Sequence, residues 1–290
     1  MRDEELIYRI ALRDLIGDRA ARVLIDTQGS AKAVLTDGEE VTQLLALGHI
    51  QGQHLTVREA LHKAEEELNY AYHNGIKILS YTDADYPQLL YQCEDAPVVL
   101  YQRGSINLEG KRLISVVGTR KASAEGLRFC QRLIAAVAPF DPVIVSGFAY
   151  GVDIVAHRAA MAHGLQTIAC LGHGFQRIYP QEHSVYCAAM EANGGLFTDY
   201  GHLSPFKPTN FLARNRIVAG LSEATVVIES GQRGGSLSTA GLAFEYNREV
   251  FAVPGRPIDV NSVGCNELIY RHKAEILLRP EQLAEDLGWC

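Results

Sequence analysis

The sequence predicts an α/β protein in which a doubly wound, mostly parallel sheet follows a small all-α unit. From Lys111 onward, short runs of apolar and β-branched residues alternate with segments of helical spacing, which is typical of buried parallel strands joined by helices. About the first 70 residues carry helical spacing without such runs. The chain has 290 residues, enough for one small and one larger unit.

Residues 1–72 are predicted to form the helical unit. IYRIALRDLIGDRAARVLIDTQGS has apolar residues at helical spacing and is interrupted at Gly17. HLTVREALHKAEEELNYAYHNG is a second helix, in which Thr56 and Glu59 have capping-box spacing and Gly75 is typical of a C-cap. The first 68 residues hold thirteen acidic and eight basic side chains, so much of the net charge of −7 lies in this unit.

Residues 73–282 are predicted to form the sheet unit. The predicted strands lie in IKILSY, RLISVVG, PVIVSG, QTIACLG, GGLFTDY, ATVVIES, EVFAVPG and EILLRP. The segment YTDADYPQLLYQCEDAPVVLYQRG is predicted to be a loop, a short helix and a further β segment. Between the strands, helices are predicted over residues 122–137, in VDIVAHRAAMAHG, over residues 182–193, in FLARNRIVAGLS and in SLSTAGLAFEYNR. Residues 283–290 remain as a C-terminal tail.

Composition narrows the class of protein. Hydrophobic residues make up 47% of the chain and charged residues 21%, as in soluble globular proteins. No apolar run approaches the ~20 residues that cross a bilayer, and the acidic start MRDEELIYRI is not a secretory signal, so we expect a cytoplasmic protein without membrane attachment. No cysteines are spaced as CxxC, which favours reduced thiols. They are Cys93, Cys130, Cys170, Cys187, Cys265 and Cys290.

Ligands of doubly wound sheets bind beyond the carboxyl ends of the strands, so the loops after the predicted strands are candidate sites. Gly118, Thr119 and Arg120 follow the strand SVVG. Glycine lets the backbone approach a ligand, the Thr119 hydroxyl can donate, and the Arg120 guanidinium suits a phosphate. The alternative is an exposed turn without a ligand. Since the turn is not GxGxxG, a dinucleotide site is disfavoured.

The loop SGFAYGVDIVAH holds the residues expected to support the pocket: Ser146, Gly147, Gly151, Asp153 and His157. Asp153 and His157 share a helix face at i, i+4. A metal site would need a further ligand that the spacing does not supply, so we expect a hydrogen-bonded pair that braces the glycine turn. His173 and His183 also lack ligand spacing and are expected to be polar residues of the surface or the pocket.

PFKPTNFLARNRIVAG places cations beside aromatic rings. The residues concerned are Phe206, Lys207, Phe211, Arg214, Asn215 and Arg216. Cations follow the phosphates of single-stranded nucleic acid, and an aromatic face stacks on a base for roughly 1–3 kcal/mol. Helical spacing places neighbouring residues on different sides, so at least one of Arg214 and Arg216 is expected to brace the loop. The alternative is an ordinary helix with Phe211 in the core.

ESGQRGGSLSTA opens a helix after a strand at Gly234, Gly235 and Ser236. The unpaired N–H groups of a helix start form an anion site. Ser236 can act as the N-cap or as a ligand donor, and Arg233 adds positive charge. A plain helix cap is the alternative interpretation.

Several segments together resemble the DNA-processing protein A family, also called DprA or Smf. They are SVVGTR, SGFAYGVDIVAH, LGHGFQRIYPQEH, FLARNRIVAGLS, GGSLSTAGLAFEYNREVFAVPG and GCNELI, in the family's order, and the resemblance covers about residues 75–275. It implies an extended Rossmann-like fold, a homodimer, single-stranded DNA in a basic pocket, and loading of the RecA recombinase in natural transformation or recombination. It implies no reaction, so we expect no catalytic residue, cofactor or metal.

The resemblance also implies which residues form the DNA pocket. With the helix start at residues 234–236, the predicted DNA-binding residues are Gly118, Thr119, Arg120, Lys207, Phe211, Arg214, Asn215, Arg216, Gly234, Gly235 and Ser236. LIGDRAARVLIDTQGS resembles the family's SAM-like or helix-hairpin-helix module, but its acidity favours a structural or partner role. The winged-helix domain of many relatives is absent from these 290 residues.

Two other classes of protein remain open. A nucleotide phosphoribohydrolase of the lysine-decarboxylase-like group would carry PGGxGTxxE, but Ser238 stands where its glutamate serves the chemistry, and Glu229 and Glu245 do not repair the spacing. A nucleotide or cofactor carrier without a DNA role would bind with an affinity that does not grow with oligonucleotide length. A dehydrogenase is disfavoured because the first βα turn lacks the dinucleotide fingerprint.

Overall fold

A computed structural model describes residues 2–37 and 55–289 of the chain. Within these residues, no helix is long and apolar enough to cross a membrane. Five of the six cysteines are described, and each is a buried free thiol, while Cys290 lies outside the described residues. Burial raises the pKa of the Cys130 and Cys170 thiols to about 12, so both act as small apolar side chains.

In the described residues of the N-terminal unit there are four helices: α1 (Arg2–Ile16), α2 (Asp18–Gln28), α3 (Ala31–Thr36) and α4 (Val57–His73). The helix is interrupted at Gly17, which has a φ of 81° and separates α1 from α2. The predicted capping box is confirmed, because the Thr56 side chain accepts the Glu59 N–H and the Glu59 carboxylate accepts the Thr56 N–H. Asn74 is the C-cap of α4, and Gly75 follows it with a φ of 63°.

The sheet has nine strands in the part of the chain that is described. They are β1 (Lys77–Ser80), β2 (Val99–Arg103), β3 (Leu113–Gly118), β4 (Val143–Ser146), β5 (Thr167–Leu171), β6 (Gly194–Thr198), β7 (Ala224–Ile228), β8 (Glu249–Ala252) and β9 (Glu275–Ile276). Their order is β1-β2-β6-β5-β4-β3-β7-β8-β9. β2 pairs antiparallel with β1 and β6, and the other pairs are parallel. The strand order reverses between β3 and β7, so the predicted doubly wound α/β fold is confirmed.

Helices cover both faces of this sheet. They are α5 (Gln88–Tyr91), α6 (Ala124–Val137), α7 (Val152–Ala162), α8 (Cys187–Ala192), α9 (Pro208–Ala213), α10 (Asn215–Leu221), α11 (Gly235–Glu245), α12 (Val263–Tyr270) and α13 (Gln282–Asp286). Alternate residues of β3 point to opposite faces: Ile114 and Val116 join the core under α6 and α7, and Leu113 and Val117 join the core under α10 and α11. The second of these cores is continuous with that of the N-terminal helices.

Some elements differ from their predicted extent. FLARNRIVAGLS forms two short helices, α9 and α10, because the chain turns at Arg214. The helix predicted over residues 182–193 is a 3₁₀ helix, Gln181–Tyr186, followed by α8. EILLRP adds only β9 to the sheet. In the predicted tail, Leu283 and Trp289 are buried against the core under α6, which an apolar spacing of so few residues does not reveal.

Buried arginines join the helical unit to the sheet. Arg13 of α1 donates to the Val99 carbonyl at 3.2 Å and also to the Asp199 carbonyl. Arg216 of α10 pairs with Asp18 of α2 at 2.9 Å and with Asp199, which follows β6. These side chains are little exposed, so removal of one partner would leave an uncompensated buried charge.

We expect Arg216→Ala to lower the free energy of unfolding by about 3–5 kcal/mol, because Asp18 and Asp199 would lose their shared cation in a buried setting. Urea unfolding measures the change. Arg271→Ala is the control: Arg271 pairs with Glu267 at the surface, and its loss should cost less than about 1 kcal/mol. Equal effects of the two substitutions would contradict this role for Arg216.

Candidate nucleic-acid interface

A cleft opens at the carboxyl edge of the sheet, beside the switch point between β3 and β7. In an open α/β sheet, the loops diverge there to opposite faces and leave a crevice. The cleft has a volume of about 490 Å³. Its walls are the turn after β3, the turn between β4 and α7, parts of α9 and α10, and the first turns of α11.

The turn after β3 supplies two cations. Arg120 and Lys121 line the cleft, and neither forms an ion pair with any residue that the structure describes. The Thr119 N–H donates to the Glu229 carbonyl at 2.8 Å, which fixes the turn to the end of β7. Thr119 Oγ1 accepts the Lys121 N–H at 3.2 Å, so its hydroxyl proton is available to a ligand. Lys121 also lines the cleft, although it was not among the predicted DNA-binding residues. Its position directly after Arg120 could have indicated it from the sequence.

The turn between β4 and α7 is braced by Asp153. Its Oδ2 accepts the N–H groups of Gly147 at 3.1 Å and Ala149 at 3.3 Å. Gly151 has a φ of 79° and lies against the Thr119 carbonyl, so an added side chain would clash with it. The two turns are therefore held together by a backbone contact that only glycine allows.

Ser146 and His157 lie deeper, beneath this turn. Ser146 Oγ donates to the Val116 carbonyl at 2.6 Å and so joins β4 to β3. His157 does not make the predicted hydrogen bond to Asp153. Its ring is fully buried, and Nδ1 lies 2.7 Å from Thr167 Oγ1 in β5. Nε2 has no hydrogen-bond partner among the described residues. Asp153 therefore braces the turn without His157, because the helix points His157 into the core.

Arg214 forms the floor of the cleft and is only 4% exposed. Its Nη1 donates to the Gly147 carbonyl at 2.5 Å, after β4, and to the Cys170 carbonyl in β5. Burial lowers the pKa of Arg214 while the nearby Asp153 carboxylate raises it, and an arginine remains a cation at neutral pH. Arg214 thus joins two strand ends and adds positive charge beneath the cleft.

The N-terminus of α11 lies at the cleft. Its N-cap is Gly234, and no side chain caps it, so the first N–H groups are open to an anion. Ser236 is not the N-cap but lies inside the helix, where its hydroxyl donates to Ser230 Oγ at 2.9 Å. Asn215 Nδ2 donates to the Gly235 carbonyl at 3.3 Å and fixes this helix start to α10.

The α9 residues lie at the wall and rim of the cleft. Phe211 is half-buried and lines the cleft. Lys207 is exposed and precedes α9 as its N-cap, directly before the cleft residue Pro208. The Lys207 side chain is not part of the cleft wall, so only a ligand that extends beyond the cleft would reach it.

Arg216 does not line the cleft, contrary to the prediction. Its guanidinium faces the helical unit, where it pairs with Asp18 and Asp199. Two residues along a helix correspond to about 200° of rotation, so Arg214 and Arg216 point to different sides. Arg214 therefore lies under the cleft, whereas Arg216 joins the helical unit to the sheet unit through its ion pairs.

The two histidines predicted to be surface or pocket residues are buried. His173 is 2% exposed and His183 is 5% exposed. His173 Nδ1 lies 3.0 Å from the Gly174 carbonyl, and His183 Nδ1 lies 2.9 Å from the Phe148 carbonyl. Among residues 2–37 and 55–289, no group of His, Cys, Asp and Glu could hold a metal ion.

The fold and the cleft together define a class: a doubly wound α/β protein with a positively charged cleft at its switch point. Two cations without an ion-pair partner among the described residues line this cleft, together with an uncapped helix start. The family model of DNA recombination-mediator protein A matches residues 77–288. The chain therefore belongs to this family, and the resemblance drawn from its motifs is confirmed.

Similar proteins support this assignment. The putative DNA processing protein DprA of Mycobacterium tuberculosis is 35% identical over 255 residues, which cover 83% of this chain and 65% of that protein. The DNA processing protein DprA of Streptococcus pneumoniae is 36% identical over 206 residues, or 71% of this chain and 73% of that one. This chain thus spans 65% of the length of its mycobacterial relative.

Two solved structures share the fold. The X-ray structure of DprA from Streptococcus pneumoniae matches with a TM-score of 0.80 at 28% identity, covering 98% of this chain and 97% of that one. The DNA processing protein A of Helicobacter pylori, described for its single-stranded DNA binding mode, matches with a TM-score of 0.65 at 28% identity. That match covers 73% of this chain and 95% of the other.

The buried His157 predicts a loss of stability in acid. Burial, with His183 and Arg214 nearby, lowers its pKa from 6.5 to about 3. Below about pH 6.5, His157 is protonated in the unfolded chain but stays neutral in the folded chain, which favours unfolding. The stability that the protein has above that pH is therefore partly lost as the pH falls towards 3. Between about pH 7.5 and about pH 5, the loss from this group should be about 2 kcal/mol.

Urea unfolding across this pH range checks the effect by comparing wild type with His157→Gln, which cannot take up the proton. The stability of the variant should fall less steeply between these pH values. His62→Gln, at an exposed position of α4, should follow the wild-type slope. Parallel curves for wild type and His157→Gln would show that His157 is not the group responsible.

Proposed function

We propose that this protein binds single-stranded DNA in the cleft, protects it, and loads a RecA recombinase onto it as a recombination mediator. The observation that carries the proposal is the free cationic pair Arg120 and Lys121, which shares one cleft with the uncapped start of α11. A phosphate between them would be held by charge-assisted hydrogen bonds from side chains and backbone N–H groups together.

The cleft favours a polyanion. Among its lining residues, Arg120, Lys121 and Arg214 are cations, and Asp153 is the one carboxylate. The sequence pI is about 5.8, so the chain as a whole offers phosphates little attraction, and the local field must supply it. Lys207 at the rim would follow the backbone of a longer strand beyond the cleft.

The cleft also favours a single strand over a duplex. Phe211 lines the same cleft as the helix start, so a base could stack on its ring while a phosphate binds the cations. A paired base has its faces covered by its neighbours and cannot stack in this way. Phosphate and stacking contacts carry little base information, so sequence preference should be slight.

We also propose three assignments that the resemblance to the family implies: a homodimer, a RecA recombinase as protein partner, and action in the cytoplasm on DNA in natural transformation or recombination. The Helicobacter pylori relative, described for its single-stranded DNA binding mode, supports the choice of ligand. The helical unit at residues 1–72 and the sheet unit at residues 73–282 would serve partner contacts and DNA binding respectively.

We also propose that the cleft catalyses no reaction. Glycosidic hydrolysis of a nucleotide needs a carboxylate free to act as acid or base. Asp153 accepts two backbone N–H groups and lies over Arg214. Glu229 accepts the N–H and hydroxyl of Ser123, on the far side of β7 from the cleft. Release of free base from nucleoside monophosphates would argue for an enzyme instead.

Fluorescence anisotropy tests the DNA proposal with labelled oligo-dT and a matched duplex. We expect tight binding to the single strand that weakens steeply between about 50 mM and about 200 mM salt, because bound phosphates release counterions. Affinity should rise with oligonucleotide length until the cleft and rim are filled. Absence of binding to either strand form, or equal affinity for a mononucleotide and a long strand, would reject the proposal.

Arg120→Ala should weaken binding of oligo-dT by roughly tenfold or more, since it removes a charge-assisted hydrogen bond to phosphate. Thermal unfolding should be unchanged, because Arg120 is exposed. Arg128→Ala is the matched control: Arg128 is an exposed arginine of α6 that pairs with Glu125 at 2.7 Å and does not line the cleft. If Arg120→Ala bound as tightly as Arg128→Ala, Arg120 would not be a phosphate ligand.

A further inference from the structure

Three rings pack together beside the cleft, on segments that are far apart in sequence. The centroid of Phe206 lies 5.6 Å from that of Phe211 and 5.4 Å from that of Tyr179, and Tyr179 lies 5.5 Å from Phe211. Tyr179 and Phe206 are 42% and 37% exposed. Their interplanar angles of 56–82° show that the rings meet largely edge to face and do not cover each other's faces. We call the two exposed rings, Tyr179 and Phe206, together with the neighbouring Arg177 side chain, the aromatic platform.

The platform is continuous with the cleft. Phe211 lines the cleft and also contacts both exposed rings of the platform. A strand that leaves the cleft past Phe211 would therefore meet Tyr179 and Phe206 next. Lys207 follows Phe206 directly in the chain and is also exposed, so the same rim carries a cation.

The platform also carries its own positive charge. The Arg177 guanidinium lies 5.1 Å from the centroid of Phe206. It is exposed and forms no ion pair with another residue of the described chain, so its charge is not neutralised there. Tyr179 and the part of Phe206 that Arg177 does not cover therefore lie next to an unneutralised cation. Such a combination suits single-stranded nucleic acid, with a base on a ring and a phosphate on the cation.

The backbone beneath the platform is fixed by the buried His173. Its Nε2 accepts the Tyr179 N–H at 3.2 Å, so Nδ1 carries the proton and donates to the Gly174 carbonyl at 3.0 Å. Burial lowers the pKa of His173, which keeps the ring neutral and suited to this role. Thr198 Oγ1 in turn donates to the His173 carbonyl at 3.0 Å. A surface already ordered in this way loses little entropy when a base binds.

We propose that the aromatic platform is a second nucleotide subsite, which stacks a base next to the nucleotide in the cleft and binds the adjoining phosphate through Arg177. This inference rests on the proposed single-stranded DNA binding and extends it along the strand. The subsite selects unpaired bases, because a duplex does not present a free base face. It also makes affinity depend on a strand long enough to pass Phe211.

The test uses the full chain with Tyr179→Leu, Phe206→Leu and the double substitution. Leucine keeps apolar bulk but removes the ring, and melting curves check that each variant is folded, since both side chains are partly buried against Phe211. Binding of oligo-dT of about twelve nucleotides should weaken roughly tenfold or more in the double variant, whereas binding of a single nucleotide should not change. Phe244→Leu and Tyr270→Leu, exposed rings of α11 and α12 outside the cleft lining, are the matched controls.

A second readout reports stacking itself. 2-Aminopurine, placed in turn at each position of the oligo-dT, should be quenched at positions that stack on the platform, and the double variant should abolish quenching at one position only. Arg177→Gln should lower the slope of log affinity against log salt by about 0.7, the value for one phosphate of a single strand. A loss of stability alone would change neither the position-specific quenching nor the salt slope.

The outcomes separate this inference from the proposed function. If Arg120→Ala weakens binding but the platform variants bind and quench like wild type, the platform is not a DNA subsite, and its exposed rings serve another contact. If the wild type binds no single-stranded DNA, the proposed function and this inference both fail. Weakening by the platform variants, with the Phe244 and Tyr270 controls unchanged, supports the second subsite.

Discussion

The shape of the cleft depends on one buried guanidinium, that of Arg214. Arg214 donates to carbonyls at the ends of β4 and β5 and lies against Asp153, which in turn holds the N–H groups of the turn after β4. A buried charge is costly unless it is paired and hydrogen-bonded, and here the carbonyls and Asp153 fulfil that condition. The same group contributes positive charge under the cleft.

Around this floor, the cleft is built from close backbone contacts. Gly151 lies against the carbonyl of Thr119, and a Cβ added at Gly147 would lie 2.6 Å from Arg214 Nη2. Phe148 and Glu229, at the ends of β4 and β7, both have positive φ angles of 62° and 52°. Such conformations persist only where surrounding contacts impose them, so the loops at the cleft are held by packing and not by their own preference.

The second arginine of the same segment has a different consequence. Arg216 connects Asp18 of the helical unit with Asp199 at the end of β6, so α10 is held between the ligand cleft and the N-terminal helices. The acidity of the N-terminal region is partly used in this contact, because Asp18 serves an internal ion pair.

Most strands, helices and cleft loops could be predicted from the sequence, because the spacing of apolar residues and the glycine turns are local features. The loops could be grouped into one site because the carboxyl ends of parallel strands meet at one edge of the sheet. The sequence also identified Gly118, Thr119, Arg120 and the helix start at Gly234. Only the tertiary structure decided that Arg214 faces the cleft while Arg216 faces the helical unit, that His157 bonds Thr167, and that Tyr179 joins Phe206. Those outcomes depend on which distant segments pack together, and no local pattern records such contacts.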